Sequence, residues 1–243
     1  MKSDGASAIR LTDLETVLTT TRAVRKRLDT DRPVPREVLT ECLTLALQAP
    51  TGGNAEDWRW ILVGDPGVRE RIGEHYRSCY QEFVLDPLQQ DGATGPSTSG
   101  RLGGVNSDGS MSETMRKILD GADHLAKIVD QVPWLVVVCA LRPNPEQGGP
   151  GTTAALYGSI FPAVWSFQLA LRSRGLGSVL TTLPLNRPDE LARILGIPED
   201  ATICAVLPVA HTLGTSFRQA PRRPLEEVAF IDAWGTPLTQ EEP

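Results

Sequence analysis

A chain of 243 residues is long enough to bury a substantial core and short enough to form one domain. Hydrophobic residues make up 40% and charged residues 22%, an ordinary balance for a globular protein. The net charge of −6 leaves no global basic field, which excludes nucleic acid and anionic lipid as main partners.

Residues 12–20 read as a short first helix with Leu14, Val17 and Leu18 on one side. A second helix is expected over 35–49, where Pro35 suits a first turn and Pro50 stops the run. Residues 58–63 (WRWILV) have strand character, and 66–80 returns to helical spacing. The Gly/Ser/Thr-rich stretch 91–112 offers nothing for a core and reads as a mobile lid, a long surface loop or disorder. A helix follows over 111–130, then a strand over 135–140 (LVVVCA) buried on both faces. Residues 142–153, rich in Pro and Gly, read as a second flexible stretch. The strongly apolar segment 157–174 predicts a helix buried on nearly all sides, in the core or at a subunit interface. Gly175-Leu176-Gly177 ends it, a strand is expected over 178–183, a helix over 188–195 and a strand over 203–209. No internal repeat is visible. The expected organisation is a flexible N-terminus (1–11), one domain (12–235) with 91–112 as loop or lid, and a tail (236–243).

Cys42, Cys79, Cys139 and Cys204 are widely separated, and three of them lie in apolar runs, as buried small hydrophobes do. That usage suits a reducing compartment, the N-terminus lacks an apolar signal core, and no apolar run reads as long enough to span a membrane. A cytoplasmic protein without membrane contact is expected. His75, His124 and His211 lack metal-ligand spacing, so no metal is expected. Gly175-Leu176-Gly177 follows a helix and precedes a strand, the reverse of a Rossmann fingerprint. There is no P-loop and no GxSxG elbow, so neither a nucleotide cradle nor a hydrolase triad is supported. The lack of an evident nucleophile or acid–base pair points to chemistry carried by a cofactor.

Three segments remain. Thr21-Arg22-Ala23-Val24-Arg25-Lys26-Arg27 is a dense cationic cluster in an acidic chain. Ala49 through Trp58 (APTGGNAEDW) is a small, polar turn that ends on an aromatic residue. Arg222-Arg223-Pro224-Leu225-Glu226-Glu227 supplies another guanidinium pair near the C-terminus. Guanidinium groups fit phosphate oxygens in a bidentate way, and a glycine-bearing turn lets backbone N–H groups approach a flat ligand. Together they suggest a phosphorylated cofactor with a planar ring.

In order and separation these segments resemble the nitroreductase family of FMN-dependent oxidoreductases, over residues 13–234. The basic segment stands in place of the family's RRSVRxF. The turn matches APSxxNxQPW at Ala49, Pro50, Asn54 and Trp58. The C-terminal segment matches an arginine before PLEEV, with Trp234 as the late tryptophan. The resemblance implies an α+β fold, a mixed central sheet flanked by helices, in an intertwined homodimer with FMN at each interface. It implies that Arg22, Ala23 and Arg25, joined by Arg222 or Arg223, hold the phosphate and ribityl chain. Thr51, Gly52, Gly53 and Asn54 would face the polar edge of the isoalloxazine, and Thr181, Thr182 and Leu183 the N5 side or dimethylbenzene end. Donors near N1 would favour the reduced ring, which is negatively charged there.

The activity implied is ping-pong transfer of hydride from NADH or NADPH, through FMN, to an electron-poor small molecule such as a nitroaromatic or quinone. Two alternatives stay open: a flavin-consuming or dehalogenating relative on the same scaffold, and a flavin-binding or redox-sensing protein of low turnover. The chain departs from the family pattern at Ala23, where serine is frequent, and at Glu56 and Asp57, which replace Gln-Pro. A Glu56 carboxylate near the flavin's pyrimidine edge would oppose its reduction; one turned to solvent would not.

Overall fold

The computed structural model describes residues 14–91, 111–142 and 148–238. A short helix α1 (Leu14–Thr20) leads through the basic segment to a two-residue strand β1 (Leu28–Asp29). Then follow α2 (Arg36–Ala46), β2 (Trp58–Val63), α3 (Pro66–Tyr80), α4 (Asp86–Asp91) and α5 (Glu113–Ile128). The second half holds β3 (Trp134–Ala140), α6 (Gly149–Arg172), β4 (Leu176–Ser178), α7 (Pro188–Leu195) and β5 (Thr202–Thr212).

The sheet runs β1-β5-β3-β2, with β4 also pairing to β5, and these pairs are antiparallel. Its central strands are covered on both sides, which is why β3 is apolar without alternation. Val136, Val138 and Ala140 join α2 and α6 in one core, while Leu135, Val137 and Cys139 join α3, α5 and α7 in the other. The period of two along a strand thus sends alternate residues into two separate cores. The result is an α+β fold with the sheet between helical layers.

Strand β2 and helices α3 and α7 fall on the bounds expected from sequence. Helix α2 stops at Ala46, short of Pro50, where Leu47 caps its end. Residue 91 is still helical, because α3 continues through a π-turn (Gln81–Leu85) into α4. Most of the expected loop, 92–110, lies outside the described residues, as do 1–13, 143–147 and 239–243.

Three expectations are corrected. Residues 149–153 are not flexible loop but the first turns of α6, where Pro150 needs no N–H partner. Thr152 and Thr153 donate from their hydroxyls to the carbonyls of Gly148 and Gly149. Helix α6 is not buried all round, because Gly158, Pro162 and Trp165 form an exposed stripe, with Trp165 43% exposed. Its length and hydropathy suffice for a membrane span, which the shorter sequence-read helix did not suggest; half of the apolar window is buried inside this fold. Finally, the strand expected over 178–183 begins earlier and ends at Ser178. Thr181 then makes one isolated bridge to Val206, and a 3-10 turn (Leu183–Asn186) follows, because Pro184 cannot donate to a ladder.

Candidate functional site

The basic segment is pinned at its middle. Val24 is buried, and its N–H donates to the carbonyl of Ser178 in β4 at 2.9 Å. The contact requires a glycine opposite: a Cβ on Gly177 would lie 3.1 Å from the Val24 side chain and 2.7 Å from Thr212 Cγ2. Gly175, at φ 72°, ends α6 in the left-handed region. So Gly175 caps the helix as expected, and Gly177 admits the basic segment to the sheet.

From this anchor the arginines diverge. The guanidinium of Arg22 lies 5.7 Å from the ring centroid of Phe217, in the irregular stretch after β5. Arg27 sits over the same ring at 4.1 Å and Arg172, from the last turn of α6, at 4.5 Å. Arg27 is well bonded, donating to the carbonyls of Leu213, Gly214 and Ser216 at 2.7, 2.7 and 2.9 Å. Arg22 is not: its Nε and Nη2 are buried with no hydrogen-bond partner. Among the described residues no carboxylate pairs with any of the three. Burial first, then the charges of Arg27 and Arg22, lower the Arg172 guanidinium from its usual pKa. Arginine does not shed its proton in response, so the cluster keeps its positive charge and calls for an anion. Its two free Arg22 donors, Nε and Nη2, form the fork that fits phosphate oxygens.

Arg25 points the other way, with Cδ close enough to α5 that a Cβ on Gly121 would meet it at 3.3 Å. Its charge reaches the buried phenol of Tyr76, whose hydroxyl lies 3.4 Å from Thr181 Oγ1. Burial raises the Tyr76 pKa; the Thr181 hydrogen bond and Arg25 oppose that shift. Thr181 is bridged to Val206 of β5, and Leu183 N–H donates to Thr181 Oγ1 at 3.4 Å. Beneath them, buried His75 donates from Nε2 to the carbonyl of Pro184 at 2.9 Å and faces Glu190 Oε2 through Nδ1 at 3.2 Å. Ala23 is exposed and brings no side-chain donor.

The glycine turn lies elsewhere in the chain. Gly53 and Asn54 have φ of 61° and 52°, in a 3-10 turn (Gly52–Asn54), and Gly52 N–H donates to Ser159 Oγ at 3.0 Å. Thr51 Oγ1 accepts from Glu56 N–H at 3.3 Å. Ser159 is 13 residues before Arg172 on α6, about 20 Å along the axis at 1.5 Å per residue. Within one chain, therefore, this turn leans on the middle of α6 while the arginine cluster gathers at its C-terminal end. Of the two departures in this turn, Glu56 is exposed and accepts from Asn54 Nδ2 at 3.4 Å. Asp57 forms an ion pair with Arg142, away from the arginine cluster.

Arg222 and Arg223 follow Phe217 on an exposed arm. Arg222 donates only to the carbonyl of its neighbour Pro221, and Arg223 lies 3.9 Å from Glu227. Five residues of extended chain reach at most about 18 Å, so Arg222 stays within that distance of Phe217. The same arm exposes Leu225, Val228 and Trp234, the last at 93%.

The site residues missed from sequence are Arg172, Phe217, Tyr76 and His75. A guanidinium in the last turn of an otherwise apolar helix was the available signal for Arg172. The four cysteines are buried and free, and burial pushes the thiols of Cys42, Cys139 and Cys204 up to about 11, 11 and 12. They are not poised as nucleophiles. Among the described residues no His/Cys/Asp/Glu group could hold a metal.

Comparison with known proteins agrees with this architecture. The chain is 25% identical over 203 residues to rat (Rattus norvegicus) iodotyrosine deiodinase 1, covering 83% of this chain and 64% of the rat protein. The match thus spans less than two thirds of that relative's length. Among solved structures, oxidized iodotyrosine deiodinase bound to FMN and 3-iodo-L-tyrosine superposes with a TM-score of 0.63 at 21% identity, over 88% of this chain and 96% of that one. The FMN-dependent nitroreductase NfnB from Mycobacterium smegmatis in complex with NADPH gives 0.61 at 18% identity, over 90% and 97%. The family model described as "Nitroreductase family" matches residues 18–211, a span that contains the basic segment, the glycine turn and all of the sheet but the last residue of β5, and the chain accordingly belongs to the nitroreductase family.

Proposed function

We propose that this chain is an FMN-dependent oxidoreductase that passes hydride from NADH or NADPH to an electron-poor small molecule, a nitroaromatic or a quinone. The observation that carries the reading is the buried, unpartnered Nε–Nη2 edge of Arg22 inside a cationic cluster without a carboxylate. That donor set fits a phosphate ester. Arg22 would hold the phosphate, with Arg222 or Arg223 brought in by the arm. Arg25 would join it at the ribityl chain, and Thr181, Thr182 and Leu183 would lie by the ring. When bound, FMN supplies two-electron hydride chemistry that no side chain here offers. The chain's residues bind, orient and neutralise it.

A second copy of the chain completes this reading, because the turn with Thr51, Gly52, Gly53 and Asn54 leans on Ser159, about 20 Å along α6 from Arg172. An intertwined homodimer would bring the partner's turn to the arginine end. The exposed apolar stripe of α6 and the arm that leaves Leu225, Val228 and Trp234 in water support it. Trp165→Arg should shift the sedimentation coefficient toward monomer and weaken flavin binding together.

The decisive test is an absorbance spectrum of the purified protein, then anaerobic NADH and NADPH in turn. A flavin spectrum that bleaches with a pyridine nucleotide and recovers with a nitroaromatic supports the proposal. A colourless protein that takes up no FMN on reconstitution ends it.

The similarity to the rat deiodinase favours one second reading, reductive dehalogenation of a halogenated aromatic on the same scaffold. Stoichiometric halide release from a halophenol, with little nitroaromatic turnover, would select it over the first.

A further inference from the structure

We propose that Arg172 is a phosphate-binding residue, which with Arg22 and Arg27 around Phe217 forms a cradle for the phosphate ester of FMN and makes the protein select FMN over riboflavin. The inference rests on the FMN reading above and adds a residue that reading does not contain.

Arg172 is only 5% exposed. Its Nη2 donates to Thr215 O at 2.9 Å and to Thr20 Oγ1 at 3.3 Å, while Nε and Nη1 are buried without partners. A guanidinium carries five N–H donors, so the unmet part of this side chain is large. The tie to Thr20 places it two residues from Arg22, whose own Nε and Nη2 are also unmet. Two arginines with buried, unmet donors, Arg172 wholly buried and Arg22 half-buried, therefore meet at one aromatic ring, beside a third that is bonded only to carbonyls.

Contact with Phe217 does not balance this arrangement. A cation over an aromatic face gains about 1 kcal/mol, against several for a buried charge left uncompensated. An anion near −2 with several acceptor oxygens meets both the charge and the open donors. A monovalent carboxylate, with two oxygens, meets less of either. A phosphate ester fits, and riboflavin lacks that group.

The test uses the full chain, stripped of flavin, as wild type, Arg172→Gln and Arg172→Lys. FMN and riboflavin are titrated separately by flavin fluorescence. Arg172→Gln should weaken FMN binding roughly tenfold to a hundredfold and leave riboflavin binding unchanged. Arg172→Lys should restore part of the FMN preference. A purely structural role would lower the melting temperature and weaken both flavins equally; an unchanged FMN-to-riboflavin ratio overturns the proposal. If wild type takes up neither flavin, the FMN reading fails and inorganic phosphate decides the cradle alone. Thermal protection of wild type but not of Arg172→Gln, at matched chloride ionic strength, then upholds it. Equal protection of both overturns it.

Discussion

His75 spans from α3 to the 3-10 turn after Thr182, with its Nε2 2.9 Å from the carbonyl oxygen of Pro184. Both residues are buried, and α7 closes the arrangement through Glu190. One imidazole thus fixes the height of the segment that includes Thr181 and Leu183. His75→Ala would leave the buried Pro184 carbonyl with only the long bond from Arg187 N–H at 3.4 Å, a loss of about 1–2 kcal/mol. The urea midpoint should fall accordingly, and amide exchange should speed up at Thr182 and Leu183. Unchanged exchange there would remove His75 from any part in shaping the site.

Gly177 should tolerate no side chain. In Gly177→Ala the new methyl would press on Thr212 and Val24, at a cost of about 1–3 kcal/mol. The Val24–Ser178 hydrogen bond that seats the basic segment would weaken with it. Gly151→Ala is the control: it lies in helix α6 with open space around it and should gain about 0.5–1 kcal/mol. Thermal unfolding of the two variants should move in opposite directions.

The cysteines should behave as core residues. With thiols at about 11 to 12 for three of them and all four buried, the native protein should react little with a thiol reagent at pH 8. All four should titrate in denaturant. Prompt reaction of a native thiol would contradict the packing described.

Acid sensitivity should arise in part at His211 on β5. Burial, then the Arg32 charge, lower its pKa in the fold, with Asp29 opposing. The unfolded chain then binds the proton more readily, so stability falls as pH drops below about 6.5 and is unaffected above it. In His211→Gln the difference in unfolding free energy between pH 7.5 and pH 5.5 should shrink. An identical difference would place the acid response elsewhere.

Much of the fold was legible because its signals are local. Residues 58–63 and 135–140 carry β-branched and aromatic side chains in short runs, and 66–80 and 188–195 carry helical spacing with prolines at their starts. Legibility failed where a neighbour overrides the local signal. The Gly/Pro composition of 149–153 suggested loop, yet the long α6 beneath it extends by continuing an established helix, whose nucleation cost is already met.

By itself the sequence supplied the candidate segments: a cationic cluster, a glycine turn and a second arginine pair. It also determined the order of the longer helices and strands, though not β1 or α4, since periodicity and breakers act over a few residues. Only the tertiary structure decided that Arg22 meets Arg172 and Phe217 while Arg25 turns to Tyr76. That choice depends on Val24 being held by Ser178 across from a residue without a Cβ. Only the fold, too, put the Asn54 turn against the middle of α6, well short of the arginine end, because the separation of two loops is set by the helix they both touch, not by their spacing in the chain.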